Sequence, residues 1–174
     1  MAATRPPQQS TDAIAILTED HDKVKRLFEQ FATLHADDED EEAAAIAKQI
    51  CQELTIHATV EEEIFYPEMR DELEDEDMLD EAEIEHSVAE ELIAQIESME
   101  PSDDKYAARV TVLGEYVTHH IEEEQNEMFP KAKEAEIDME TLGERILARK
   151  EELKSESTEQ DEAEAEEDEP QAAR

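Results

Sequence analysis

Two stretches of this chain decide its fold, ELTIHATVEEEIFYP at residues 53–67 and YVTHHIEEEQNEMFP at residues 116–130. Each contains a histidine, a glutamate four residues later and a proline six residues after the glutamate, with an aromatic residue directly before the proline. In the first stretch the pair is His57 and Glu61. Residues four apart lie on one face of an α-helix, so each stretch presents an imidazole beside a carboxylate.

Four apolar stripes with helical spacing are each interrupted by a histidine at a core position: His21, His57, His86 and His120. His57, for example, lies seven residues after Ile50 and seven before Ile64. The apolar residues seven positions from the other three histidines are Ile14, Phe28, Leu79, Ile93 and Leu113. This periodicity is typical of amphipathic helices that bury one face.

Four such helices with short connections predict an all-α fold, an antiparallel up-down four-helix bundle. A composition with two glycines, no tryptophan and abundant helix-forming residues agrees with this fold. A shorter pattern from Met139 to Leu153 predicts an extra C-terminal helix outside the bundle. The first helix is expected to begin near one of three capping candidates, Ser10, Thr11 and Asp12.

The 174 residues are expected to form one domain, at residues 12–153. Residues 1–11 are polar and contain proline, and residues 154–174 are acidic and of low complexity, so both segments are predicted to be disordered. The second bundle helix is expected to end before Pro67 and the fourth at about Phe129. Cys51 is the single cysteine of the chain, which excludes an internal disulfide.

The charge balance is extreme, with 53 acidic residues against 15 basic ones and a formal net charge of −38. Nucleic acids and anionic membrane surfaces attract basic proteins, so this balance argues against both as partners. We expect a strongly solvated acidic surface instead. The chain has no long apolar run and no signal-peptide pattern at its start, and a cytoplasmic location is expected.

The bundle interior would bring together four imidazoles and two carboxylates, from Glu61 and Glu124. Buried carboxylates are unfavourable unless they are paired, and no lysine or arginine occupies the four stripes. Two metal ions would resolve the conflict, because they supply the positive charge that the carboxylates need. The first two helices and the last two would form two related hairpins. If these hairpins face each other, each ion receives two imidazoles and both bridging glutamates. The spacing alone leaves iron, manganese and zinc open.

The whole pattern resembles the hemerythrin-like (HHE cation-binding) domain family over roughly residues 12–153. Besides the two opening stretches, TEDHDKVKRLFEQF at residues 18–31 and IEHSVAEELIAQI at residues 84–96 support the resemblance. It implies a non-haem di-iron pair, that is two carboxylate-bridged iron ions, and six ligands: His21, His57, Glu61, His86, His120 and Glu124.

The chain departs from the oxygen-carrying members of that family in two ways. Their third helix carries a second histidine four residues before the first, where this chain has Ala82 before His86. Their fourth helix ends the motif with an aspartate at five residues, where this chain has Glu124 at four. Reversible oxygen transport is therefore disfavoured, and the chain is more similar to bacterial members linked to iron sensing, nitric oxide chemistry and repair of iron–sulfur centres.

Three functions follow from these observations as hypotheses. The resemblance favours a di-iron protein that binds or senses oxygen or nitric oxide, or handles iron, with a redox partner that the sequence does not identify. A di-iron enzyme that reduces nitric oxide or decomposes peroxide is the first alternative, disfavoured because no protein acid or base is visible beyond the ligands. An acidic bundle that acts as a structural interaction module is the second.

Several other residues could take part in a site by their chemistry, but they do not fit the stripe pattern of the six residues. Glu90 lies one turn after His86 and is a candidate additional carboxylate ligand. His119 is interpreted as a surface residue or one that supports a ligand, and His35 as a helix-end residue. Glu62 is interpreted as a solvated side chain, with contact to a ligand as the alternative. Tyr66 and Phe129 are interpreted as packing residues over the mouth of the site.

Overall fold

The computed structural model describes residues 11–37, 39–73 and 76–167, with side chains up to residue 159. All the regular elements in these ranges are helices, which confirms the predicted all-α bundle. The α-helices are α1 (Ala13–Ala36), α2 (Asp40–Val60), α3 (Tyr66–Glu72), α4 (Glu76–Glu97), α5 (Tyr106–Glu123), α6 (Phe129–Glu134) and α7 (Met139–Glu167). The predicted disorder of residues 1–10 and 168–174 lies outside the described residues.

Two of the four bundle helices contain a π-helical turn. Glu61–Phe65 joins α2 to α3, and Glu124–Met128 joins α5 to α6. After each turn a backbone N–H, of Tyr66 or of Phe129, donates to the carbonyl of the glutamate five residues earlier. The site glutamates are therefore the first residues of the two wider turns, a kind of irregularity that is common at functional sites.

The predicted ends of these two helices are wrong. The second bundle helix passes Pro67 and continues to Glu72, and the fourth continues to Glu134. Each proline lies in the first turn of the segment that follows the π-helical turn. Proline is tolerated there, because the first turn of a helix does not need the backbone N–H that proline lacks.

The core consists of two apolar clusters with the histidines between them. One cluster includes Leu17 and Val60, and the other includes Val24 and Leu54. His21 therefore lies between apolar residues on α1, as the stripe pattern predicts. α1 begins where the capping pattern predicts, because the Asp12 carboxylate accepts a 2.9 Å hydrogen bond from the Ala15 N–H.

The fifth helix, α7, packs outside the bundle against α1, α2 and the first π-helical turn. Its buried residues include Leu142 and Ile146. Gly143 permits a close crossing, since a Cβ there would lie 1.8 Å from the backbone oxygen of Thr11.

The predicted boundary of α7 at Leu153 is wrong, because the helix extends to Glu167 and takes in acidic residues that were expected to be disordered. Beyond Leu153, the Ser157 hydroxyl accepts a 2.6 Å hydrogen bond from Gln52 on α2. Among the described residues, no helix combines the length and apolar character that crossing a membrane requires.

Candidate metal centre

The six residues predicted from the sequence come together in the bundle interior, and each is at most 6% exposed. In the first pair, Nε2 of His21 lies 2.9 Å from Nε2 of His57. In the second pair, Nε2 of His86 lies 3.0 Å from Nε2 of His120. Each pair joins the two helices of one hairpin, α1 with α2 and α4 with α5.

The two glutamates lie between the histidine pairs. Glu61 Oε2 is 3.2 Å from His57 Nε2 and 3.5 Å from His86 Nε2. Glu124 Oε2 is 3.1 Å from Nε2 of His21 and 3.5 Å from Nε2 of His120. One oxygen of each carboxylate thus faces both pairs. Two overlapping groups of donor atoms result, each with its atoms within 4.8 Å of one another: His21, His57, Glu61 and Glu124, and Glu61, His86 and His120.

The carboxylates are not satisfied by protein groups alone. Both oxygens of Glu61 and Oε2 of Glu124 are buried and have no hydrogen-bond partner. Burial and the neighbouring Glu124 carboxylate raise the pKa of Glu61 well above its usual value. Burial lowers the pKa of His21, and it lowers the pKa of His86 to about 4, so these imidazoles are neutral. Neutral imidazoles around unpaired carboxylate oxygens fit the donor set of a cation site.

The Nδ1 atoms of His57 and His120, the two histidines with a glutamate four residues later, contact acidic residues that were not predicted as site residues. Asp20, the residue before His21, has Oδ2 3.4 Å from His57 Nδ1. Glu85, the residue before His86, has Oε2 2.7 Å from His120 Nδ1. A proton held on Nδ1 by a carboxylate leaves Nε2 free to bind a metal. An acidic residue directly precedes both His21 and His86, and this repetition was the sequence signal that could have revealed the role.

The other two histidines, His21 and His86, are each oriented by the residue that directly follows a site glutamate. Glu62 Oε1 lies 2.9 Å from Nδ1 of His86, so this residue, whose side chain is 38% exposed, contacts a predicted ligand as well as solvent. The side-chain amide of Gln125 lies 3.1 Å from Nδ1 of His21. These contacts run between the hairpins, and they therefore fix the two halves of the site relative to each other.

Asp20 also binds a buried lysine from α7. The Lys150 ammonium, 8% exposed, donates to both carboxylate oxygens of Asp20. Burial raises the pKa of Asp20, but its hydrogen bond with His57 and its contact with the Lys150 ammonium outweigh this effect and lower the pKa to about 2. The added C-terminal helix is therefore linked through one carboxylate to the first histidine pair.

Equivalent aromatic residues contact the two halves differently. Phe129 stacks on His21 with ring centroids 5.7 Å apart, and Tyr66 stacks on His86 at 5.6 Å. The hydroxyl of Tyr66 donates to Glu124 Oε1 at 3.0 Å and lies 3.4 Å from Nε2 of His86. Tyr66 is therefore part of the site, which the packing interpretation missed. Burial and the nearby Glu124 carboxylate raise its pKa well above the usual value.

Other candidates lie outside the six-residue centre. Glu90 is exposed and does not belong to either group of buried donor atoms. His119, 64% exposed, lies 3.4 Å from a carboxylate oxygen of Glu123. His35 is 52% exposed, as expected for a helix-end residue. Cys51 is buried, and burial raises the pKa of its thiol to about 12, which keeps it protonated.

A cavity of ≈ 30 Å³ adjoins the imidazoles. It touches all four site histidines, and its apolar lining includes Val24, Leu54, Ala89, Ile93, Val117 and Ile121. About 10–15 Å³ is enough for one water-sized molecule, so the cavity has room for a very small ligand and for nothing much larger.

The fold and the site define a helical bundle with a metal-binding cluster of histidines and glutamates in its core. The chain belongs to the hemerythrin HHE cation binding domain family, whose family model matches residues 12–132. Membership implies a metal-binding site, and the clustered histidines and glutamates are the residues that suit one.

The chain is also similar to two individual proteins. The chain is 30% identical over 117 residues to a DNA nickase from Nostoc sp., a match that covers 66% of this chain and 31% of the relative. The chain thus spans about a third of that relative's length. The crystal structure of a hemerythrin HHE cation binding domain-containing protein from Mycobacterium kansasii superposes with a TM-score of 0.68 at 22% identity, covering 84% of this chain and 90% of the other.

Proposed function

We propose that the chain is a non-haem di-iron protein that binds or senses oxygen or nitric oxide, or handles iron. The observation that carries the proposal is the set of unpartnered carboxylate oxygens of Glu61 and Glu124 among four imidazole Nε2 atoms. The six proposed ligands are His21, His57, Glu61, His86, His120 and Glu124. When bound, two iron ions would supply exchangeable electrons and coordination positions for a diatomic ligand.

The surrounding residues support a small, uncharged ligand. The apolar cavity beside the imidazoles disfavours anions and limits size. The carboxylates of Asp20 and Glu85 keep the protons on Nδ1 of His57 and His120, so the Nε2 atoms stay available as ligands.

Metal analysis of protein purified without oxygen and loaded with Fe²⁺ tests the metal part. We expect two ions per chain, and we expect Glu61→Gln to retain at most about half of them. Glu122→Gln, an exposed charge-matched change on α5, should retain both. Full metal retention by Glu61→Gln would contradict the site and favour the alternative of a purely structural acidic bundle.

Optical spectra of the same loaded protein test the ligand part. Addition of oxygen or nitric oxide should change the absorption of the centre. If neither gas changes the spectrum of protein with its full metal content, gas binding is rejected and iron handling is left as the function.

A second candidate is an enzyme that reduces nitric oxide or decomposes peroxide, and Tyr66 is the observation that favours it. Its buried hydroxyl holds a proton 3.0 Å from Glu124. Proton donation by a positioned side chain contributes about 10²–10⁴-fold to a rate, so Tyr66→Phe should lower turnover by about that factor. Wild-type protein that consumes only stoichiometric nitric oxide or peroxide in the presence of a reductant would reject this candidate.

Nucleic acid and anionic membranes remain outside the proposal, and a cytoplasmic location remains part of it. The similarity to the nickase covers only a third of that protein, and a net charge of −38 repels a phosphate backbone. Retardation of a DNA fragment by the chain in a low-salt gel would contradict this exclusion.

A further inference from the structure

A cleft of ≈ 50 Å³ opens on the second hairpin, between α4 and the end of α5. Four carboxylates outside the six-residue centre line it, those of Glu81, Glu85, Glu123 and Glu127. His120 and Glu124, two of the proposed ligands, also line the cleft. The cleft therefore connects acidic side chains at the surface with the buried centre.

Three residues on this side form a compact group of donor atoms: Glu85, His119 and Glu123. One donor atom from each lies within 4.8 Å of the others. His119 Nε2 is 3.4 Å from Glu123 Oε1, and both side chains reach solvent. One imidazole with two carboxylates suits divalent first-row metals.

At its inner end the cleft reaches a buried carboxylate of the proposed centre. Glu124 Oε2 is 1% exposed, has no hydrogen-bond partner and belongs to a residue that lines the cleft. Glu85 belongs to both places, because it lines the cleft and its Oε2 accepts the hydrogen bond of His120 Nδ1 at 2.7 Å. A buried, unpartnered carboxylate at the inner end of an acidic cleft attracts a cation inward.

The equivalent positions of the first hairpin show that the fold does not require an acidic cleft. Glu81 lies five residues before His86, as Ile16 lies five residues before His21. Relative to His120 and His57, the positions of His119, Glu123 and Glu127 correspond to those of Ile56, Val60 and Ile64. All four are buried, and α7 packs against this side of the bundle. Only the second hairpin combines a route from solvent with cation-binding side chains along it, within the described part of the chain.

We propose that Glu85, His119 and Glu123 form a peripheral divalent-cation site through which metal ions enter the centre. The loading role rests on the proposed function, since it requires a metal centre at the inner end. The peripheral site binds weakly and exchanges quickly because two of its three side chains are exposed.

Stopped-flow uptake of Fe²⁺ by metal-free protein, without oxygen, tests the loading role. The double variant His119→Ala/Glu123→Gln should take up metal about ten-fold more slowly, because the local attraction of cations is lost. Its final metal content should equal that of the wild type. The matched control is His35→Ala/Asp40→Asn, which removes the same charges at a 3.6 Å pair on the far end of the bundle and should load at the wild-type rate.

A second measurement tests the site itself. After the centre is filled with two equivalents of Zn²⁺, a Mn²⁺ titration followed by electron paramagnetic resonance should show one further ion bound to wild type and control. The double variant should bind none. Salt near the physiological concentration suppresses loose association with the acidic surface.

The two proposals fail in different ways. Equal uptake rates and equal Mn²⁺ binding in the wild type and the double variant would overturn the peripheral site. A wild-type chain that takes up no metal at all would overturn the proposed function, and the loading role with it.

Discussion

The two hairpins of this bundle carry the same ligands but differ in what covers them. The first hairpin, α1 with α2, presents apolar side chains on its outer side, and α7 buries them. The second, α4 with α5, presents carboxylates there, and it leaves large apolar residues such as Ile84 and Val112 at least half exposed. The interiors match because both halves face the same cluster of donor atoms, whereas the outer surfaces have diverged.

The difference also reaches the histidines. In the first half Asp20 is neutralised by Lys150, and Phe129 covers His21 with a purely apolar ring. In the second half Glu85 lines an open cleft, and Tyr66 brings a hydroxyl into the site. A site with near-symmetric ligands thus has one closed, charge-compensated half and one half with access to protons and cations.

The largest expected effect tests whether α7 is an integral part of the first half. Ile146 of α7 is fully buried against the bundle, so Ile146→Ala should lower the free energy of unfolding by about 2–4 kcal/mol. Val88→Ala on the uncovered α4, where the side chain is 38% exposed, should cost at most about 0.5 kcal/mol. Urea denaturation of metal-free protein measures both. Similar costs would mean that the two faces are covered to the same degree.

The next effect concerns the buried ion pair of the first half. Lys150→Met leaves the Asp20 carboxylate without its cation, and we expect a loss of about 2 kcal/mol at neutral pH. The control Lys23→Met breaks a half-exposed pair with Glu53 and should cost at most about 1 kcal/mol.

The pH dependence gives this prediction a second readout. The pKa of Asp20 is lowered from 3.8 to about 2 in the folded protein, so its stabilisation is complete above the unfolded value and is lost as pH falls toward about 2. The difference between wild type and Lys150→Met should therefore be full at neutral pH and shrink across this acidic range. A difference that is constant with pH would show that Lys150 acts through packing alone.

A smaller and opposite effect is expected at Glu61. Because its folded pKa is raised above the usual 4.5, the metal-free protein loses stability as pH rises from that value through the folded pKa. Glu61→Gln removes this loss and should stabilise metal-free protein at pH 8 by about 1 kcal/mol. Burial raises the pKa of Glu124, but its contact with His21 outweighs burial and lowers this pKa, so the fold favours the charged carboxylate. Glu124→Gln should therefore destabilise the metal-free protein. Thermal unfolding of both variants with a chelator decides the sign.

The sequence predicted the bundle and the six clustered residues because both depend on helical periodicity. A histidine or glutamate at a core position of its own stripe must face the other stripes. The length of α7 was not predictable in this way, since its last turns are acidic and have little apolar periodicity. The π-helical turns were also missed, because a stripe pattern does not distinguish four-residue from five-residue hydrogen bonding at Glu61 and Glu124.

The contacts around the ligands were missed for another reason. Lys150 and Asp20 are 130 positions apart, and no periodicity within one helix relates them. Tyr66 and Phe129 occupy equivalent positions, and the sequence shows that one has a hydroxyl. Only the packed structure shows that this hydroxyl reaches Glu124.

The smallest expected effect comes from adding this hydroxyl to the first half of the site or removing it from the second. Phe129 occupies the position in the second stretch that Tyr66 occupies in the first. The hydroxyl added by Phe129→Tyr would therefore approach Glu61 Oε1, which has no hydrogen-bond partner, just as the Tyr66 hydroxyl approaches Glu124 Oε1. We expect metal-free protein to gain up to about 1 kcal/mol, and the converse Tyr66→Phe to lose about 1 kcal/mol. Chemical denaturation of the metal-free variants measures both changes in the free energy of unfolding. A loss of stability in Phe129→Tyr would mean that the first half is packed too closely around Phe129 to admit an oxygen, and that the halves differ in shape as well as in chemistry.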